Sequence, residues 1–201
     1  MTAIFAYFIG SLPTGYLAGR ARGLDIRAMG SGNIGATNVL RILGRKAGVC
    51  VLLIDALKGF LACLLLPWVA RKFCPDTNVE YLALTAGVGA IFGHNFTCWL
   101  NFKGGKGVAT TGGVFFAIAP AAAGTATVVW LIVVLLSRYV SLASIAAAAA
   151  LPLAAWAWGK SLVVITVFLA LGLLAIYKHK ANIQRLLNRT ENRLGGKKKQ
   201  D

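Results

Sequence analysis

Four polar, glycine-bearing or cation-bearing segments interrupt an otherwise apolar chain, and each has residue types suited to holding phosphate. The first is Gly30-Ser31-Gly32-Asn33-Ile34-Gly35-Ala36-Thr37-Asn38, followed by Arg41, Arg45 and Lys46. Glycines open backbone conformations in which successive N–H groups line an anion-binding concavity. Ser31, Asn33, Thr37 and Asn38 add side-chain donors, and a helix starting here would offer its N-terminus to an anion. The second is Phe102-Lys103-Gly104-Gly105-Lys106-Gly107-Val108-Ala109-Thr110. A lysine set among glycines lets backbone donors and an ammonium meet one phosphate. Gly107 stands where a Walker A loop requires Ser or Thr, so ATP hydrolysis loses its main support. A loop that is merely positive would explain the lysines but not three glycines around Lys106.

The third segment runs from Ser137 to Ser144, with Arg138 near its start. Ser141 and Ser144 are three apart and share a helical face, a spacing that also serves helix packing. The fourth is Tyr177-Lys178-His179-Lys180-Ala181-Asn182-Ile183-Gln184-Arg185, with Glu191 beyond it. His179, Asn182 and Arg185 follow at i, i+3 intervals. This is a solvated surface helix unless it folds back onto other polar segments. Two further features lie inside apolar runs. Asp55 and Lys58 are spaced for an ion pair, which offsets part of the cost of charge at membrane depth; a structural pair is favoured over a Lys58 that reaches the site. His94 reads as a hydrogen-bonded packing residue.

The elements that must carry these segments follow from composition. The chain has 201 residues, of which 58% are hydrophobic and 13% charged, with 21 Lys+Arg against six acids and a net charge of +15. Mean hydropathy is +0.71. This excludes a soluble globule and a disordered chain. The long apolar runs leave no soluble basic face for nucleic acid. Four scattered cysteines without a C-x-x-C pair, and few, unclustered acids, give no basis for a metal or redox site or any cofactor.

A span of about 30 Å of hydrocarbon needs about 20 helical residues. Apolar runs occupy 2–19, 47–70, 79–100, 107–136, 139–158 and 161–177, and Pro120 divides the fourth. With that division the cation-rich 20–46 and 178–201 regions fall on one face, as the positive-inside rule demands. The expectation is an all-α polytopic helical bundle of about seven membrane helices, N-terminus outside and C-terminus cytoplasmic. Residues 1–194 form one transmembrane domain and 195–201 a basic, disordered tail.

Ser11-Leu12-Pro13-Thr14-Gly15-Tyr16, Gly30–Asn38, Asp55-Ala56-Leu57-Lys58-Gly59, Gly93-His94-Asn95-Phe96, Phe102–Thr110, Arg138–Ile145 and His179–Arg185 together resemble the bacterial acyl-phosphate:glycerol-3-phosphate acyltransferases, the PlsY family. The likeness runs nearly end to end. It implies transfer of a fatty acyl group from acyl phosphate to the sn-1 hydroxyl of glycerol 3-phosphate. The products would be lysophosphatidate and phosphate, at the first step of bacterial phospholipid synthesis. It also implies a multi-pass protein of the bacterial inner membrane with a cytoplasmic site. The donor would be supplied by a soluble acyl-phosphate-forming enzyme (PlsX), not by acyl-CoA or acyl carrier protein.

Within that chemistry the Gly30–Asn38 loop, chiefly Ser31 and Asn33, is expected to hold the acyl-phosphate head, with Gly30, Gly32, Gly35, Thr37 and Asn38 shaping or lining it. Lys106, Arg45, Ser141, His179 and Asn182 would hold glycerol 3-phosphate, and Arg41, Gly104, Gly105, Ser144 and Arg185 would contribute to binding. Ser31, Asn33, Lys106 and His179 are the expected catalytic residues. Three routes remain for the hydroxyl proton: His179 as base, a substrate phosphate oxygen as base, or an acyl-enzyme on Ser31. The activated donor favours the second. The rival class is a transporter of phosphorylated small molecules.

Overall fold

The structure, a computed structural model, describes residues 1–195; the Lys-rich end expected to be disordered lies, from residue 196 on, outside the described residues. Among the described residues the secondary structure is entirely helical. The chain divides into two compact units, Met1–Pro120 and Ala121–Asp201.

In the first unit the apolar run 2–19 is not one helix. It breaks at Leu12-Pro13 into α1 (Thr2–Ser11) and α2 (Thr14–Arg20), because Pro13 has no N–H to give and disfavours helix at Leu12. A 3-10 turn at Ile26–Ala28 leads to the glycine loop, then α3 (Ala36–Leu43) and α4 (Arg45–Ala70). Gly44, at φ +89°, separates α3 from α4. α5 (Val79–Asn95) follows, with Asn78 accepting from the Glu80 N–H at its start. After a second 3-10 turn at Cys98–Leu100 comes α6 (Val108–Ile118). α1 packs on α5, and α4 on α6. Both pairs approach so closely that a Cβ at Gly10 would overlap the Ala90 carbonyl and one at Gly113 the Ala56 carbonyl. Small residues thus supply the close contact that lipid cannot drive.

The second unit holds α7 (Pro120–Ser137, whose first residue closes the first unit), α8 (Val140–Ala157), α9 (Leu162–Lys178) and α10 (Lys180–Leu187). Pro120 is the break expected within 107–136, and it occupies the first position of α7, where a missing N–H costs nothing. α8 packs on α9, and α10 reaches both.

Among the described residues three helices, α4, α7 and α8, are long and apolar enough to cross a membrane, and α9 with α10 makes a fourth candidate bent by 57°. α6, with 11 residues, rises only about 16 Å, roughly half the hydrocarbon thickness.

Candidate functional site

In the first unit the glycine loop is a built structure with its own anchor. Ile34, at its centre, is buried with Ile26, Val39, Val51 and Leu100, so the loop is pinned to an apolar core. Asn38 is 2% exposed. Its Oδ1 accepts from the Ser31 N–H (2.9 Å), and its Nδ2 donates to the carbonyls of Ile26 (3.2 Å) and Met29 (3.1 Å). Asn33 Oδ1 accepts from the Gly35 N–H at 2.8 Å. Gly30 takes φ +60°, and a Cβ there would overlap Asn38 Oδ1. Ser31 and Gly32 are exposed at the tip, while Asn33, Gly35 and Thr37 are half-buried. α3 begins at the end of the loop and leaves the N–H groups of Ala36 and Thr37 without intrahelical partners. Arg41 lies in the last turn of α3, and Arg45 is exposed at the first position of α4. Nearby Arg27 is engaged by Asp25 at 2.7 Å, and its guanidinium holds the Asp25 carboxyl down to about 2.

The Lys106 loop is held by the end of α5. The Gly104 N–H donates to the Asn95 carbonyl (3.2 Å) and the Gly105 N–H to the His94 carbonyl (3.1 Å). These two N–H groups therefore satisfy the orphan carbonyls of α5. What Gly104 and Gly105 supply is room: a Cβ at Gly105 would overlap His94 Nε2. Gly107, at φ +77°, is the N-cap of α6. Lys106 stands half-buried between two buried glycines.

Beneath this loop lies a polar cluster that the sequence showed only in part. The expected Asp55–Lys58 pair forms, with Lys58 Nζ 2.8 Å from Asp55 Oδ1 and both side chains buried. The same ammonium donates to the Leu12 carbonyl at 2.9 Å, at the break between α1 and α2. Thr14 donates to Asp55 Oδ1 at 2.9 Å. His94 Nδ1 lies 3.7 Å from Asp55 Oδ1 and 3.1 Å from Thr110 Oγ1. Thr14 and Thr110 were not anticipated; they sit 41 and 16 residues from their partners.

In the second unit the fourth segment folds back. The chain bends at His179, which ends α9 and starts α10. His179 is 3% exposed, and its Nδ1 lies 2.8 Å from the Ala175 carbonyl. A carbonyl only accepts, so Nδ1 is the donor in this contact. Asn182 and Arg185, one and two i, i+3 steps on, meet at Glu191. Glu191 Oε1 accepts from Asn182 Nδ2 (2.7 Å) and Ser141 Oγ (3.0 Å), and Oε2 from Arg185 Nε (2.7 Å). Burial pushes the Glu191 carboxyl up, but the bonds from Arg185, Asn182 and Ser141 outweigh it and hold the group below its ordinary value. A strap closes the cluster: the Leu194 N–H donates to the Arg138 carbonyl (2.7 Å) and Arg138 Nε to the Leu194 carbonyl (3.2 Å). Ser144 stands outside it. Its hydroxyl donates to the Val140 carbonyl (2.8 Å) and accepts from Trp130 Nε1 (3.2 Å), which is helix packing.

Glu191 was not among the residues expected to bind. Its signal in the sequence is that it is an acid standing alone among Arg185, Arg189 and Arg193.

Residues 1–189 match the family model described as glycerol-3-phosphate acyltransferase. The chain is 45% identical over 195 residues to the glycerol-3-phosphate acyltransferase of Brucella anthropi, covering 96% of this chain and 92% of the relative. It is 46% identical over 193 residues to that of Geobacter sulfurreducens, covering 96% and 95%. Among solved structures it is similar to PlsY (YgiH), an integral membrane glycerol 3-phosphate acyltransferase. The glycerol 3-phosphate form gives a TM-score of 0.87 at 42% identity, and the lysophosphatidic acid form 0.84 at 41%; each covers 96% of this chain and 94% of the other. By this match over nearly its whole length, the chain belongs to the glycerol-3-phosphate acyltransferase family.

Proposed function

We propose that the protein transfers a fatty acyl group from acyl phosphate to the sn-1 hydroxyl of glycerol 3-phosphate. The observation that carries this is near-full-length likeness to PlsY in forms with glycerol 3-phosphate and with lysophosphatidic acid. The hydroxyl oxygen attacks the acyl carbonyl carbon, an ester C–O bond forms, and the bond from that carbon to the phosphate oxygen breaks. The electron pair leaves with inorganic phosphate.

The Gly30–Asn38 loop takes the acyl-phosphate head through Ser31, Asn33 and the first N–H groups of α3. Asn38 shapes the loop, because its amide is committed to Ser31, Ile26 and Met29. For glycerol 3-phosphate the first unit offers Lys106 and Arg45, and the second offers Ser141, His179 and Asn182. Arg41 and Arg185 add positive charge, and Gly104 and Gly105 give Lys106 its place. These donors stabilise charge growing on the carbonyl oxygen and the leaving phosphate. The donor is already activated, so a substrate phosphate oxygen takes the hydroxyl proton and His179 positions. His179 as the base is the rival role, and the kinetic test below separates the two.

The setting proposed is the bacterial inner membrane. The N-terminus lies outside and the cation-rich segments face the cytoplasm. About seven embedded segments include the half-length α6. A soluble acyl-phosphate-forming enzyme (PlsX) supplies the donor. The test is to give purified protein acyl phosphate and glycerol 3-phosphate. One inorganic phosphate released per lysophosphatidate formed is expected. Phosphate release without acylated product, or movement of glycerol 3-phosphate across protein-only vesicles without chemistry, would overturn the proposal.

A further inference from the structure

We propose that His94 is a positioning residue for Lys106. The inference rests on the reading that Lys106 binds the phosphate of glycerol 3-phosphate, and adds what holds Lys106 in place. Three contacts tie the loop to this one residue. The His94 carbonyl accepts from the Gly105 N–H at 3.1 Å. The His94 ring lies against Gly105, so closely that a Cβ there would overlap Nε2. Its Nδ1 meets Thr110 Oγ1 at 3.1 Å, in the first turn of the helix that Lys106 leads into. The neighbouring Asn95 repeats the pattern: its carbonyl takes the Gly104 N–H, and its Oδ1 would lie 2.5 Å from a Cβ on Gly107. The loop is therefore gripped immediately before and after Lys106.

The grip is anchored from below. Asp55 Oδ1, 3.7 Å from His94 Nδ1, also accepts from Lys58 Nζ and Thr14 Oγ1, and Lys58 reaches the Leu12 carbonyl. The ring lies between Asp55 of α4 and Thr110 of α6, and the α1–α2 break acts on it only by fixing Asp55 and Lys58. His94 is 6% exposed and Thr110 fully buried, so neither needs to touch substrate for this role.

Misplacing a binding group by about 1 Å can cost on the order of 100-fold. His94→Ala should raise the KM for glycerol 3-phosphate about 10- to 100-fold, with a smaller change in kcat. His94→Gln, which keeps a polar group near the ring's outer edge, should recover part of the loss. Thr110→Val removes the hydroxyl behind the ring and should move KM the same way; it carries the test if His94→Ala is not recovered folded. In a Lys106→Ala background the His94 and Thr110 changes should add about twofold or less, because they act through Lys106.

A lower kcat or yield with unchanged KM, and effects that multiply in the Lys106→Ala background, would show ordinary packing and overturn the inference. If Lys106→Ala itself leaves the KM for glycerol 3-phosphate unchanged, the reading of Lys106 falls, and the positioning role falls with it. If Lys106→Ala raises KM while the His94 and Thr110 variants do not, only the positioning role is overturned.

Discussion

Glu191→Gln is a nearly isosteric change at the centre of the second unit's polar cluster. The carboxylate accepts three bonds, two at Oε1 and one at Oε2. A glutamine keeps one acceptor oxygen. In its less costly orientation that oxygen still serves Ser141 and Asn182, and the amide NH2 faces Arg185 Nε, donor against donor. The loss is then the charge-assisted bond to Arg185, worth about 1.5–3 kcal/mol. The Arg185 side chain is 36% exposed, and water recovers part of its charge, which places the loss toward 1.5–2 kcal/mol. Passed to Asn182 and Arg185 as binding groups, this is about a 10- to 30-fold rise in the KM for glycerol 3-phosphate. The assay is the initial rate of lysophosphatidate formation against glycerol 3-phosphate concentration at saturating acyl donor.

The same residue predicts a pH dependence. Its folded pKa lies below the ordinary 4.5. Its stabilising contribution is therefore complete above that value and is lost as pH falls through the lower folded-state value. Thermal unfolding of the native chain should show an acid-side loss that is reduced in Glu191→Gln. A variant with KM within about twofold of the native value, and an unchanged acid-side profile, would refute the argument.

Asp55→Asn leaves Lys58 charged and poorly paired in an apolar interior, which should cost about 3–5 kcal/mol, read as a lower thermal midpoint. The double change Asp55→Asn with Lys58→Met should recover part of it. Gly107→Ala forces a side chain into φ +77° and against Asn95 Oδ1, and should destabilise by about 1–2 kcal/mol in the same assay. His179→Ala should lose glycerol 3-phosphate binding in proportion to rate if the histidine positions. An unchanged binding constant with a collapsed maximal rate would make it the base.

Local patterns were readable and long-range meetings were not. Pro120 announced a helix break, and the i, i+3 spacing of Asp55 and Lys58 announced their pair, because both depend on neighbours in sequence. Pro13 carried the same kind of signal, yet the apolar run 2–19 hid it: Leu12 is apolar but its carbonyl takes the Lys58 ammonium. The glycine loop was legible as a segment that needs glycine's backbone freedom, and Gly30 and Gly32 take positive φ. Which atoms shape it was not, since Asn38 works through carbonyls 9 and 12 residues back. Ser141 and Ser144 look alike in sequence, and only one meets Glu191, 50 residues on. The other faces Trp130. Thr110 looked like part of a loop motif but is the buried partner of His94. The residues legible in advance bear recognisable polar groups in short motifs, and the rest acquire their roles only through packing.

Donor choice tests the central claim most directly. Purified protein would receive glycerol 3-phosphate with palmitoyl phosphate, palmitoyl-CoA or palmitoyl acyl carrier protein in turn, and lysophosphatidate would be quantified. Product from the acyl phosphate alone is the predicted result. Efficient turnover of either thioester, or no product from the acyl phosphate, would contradict it.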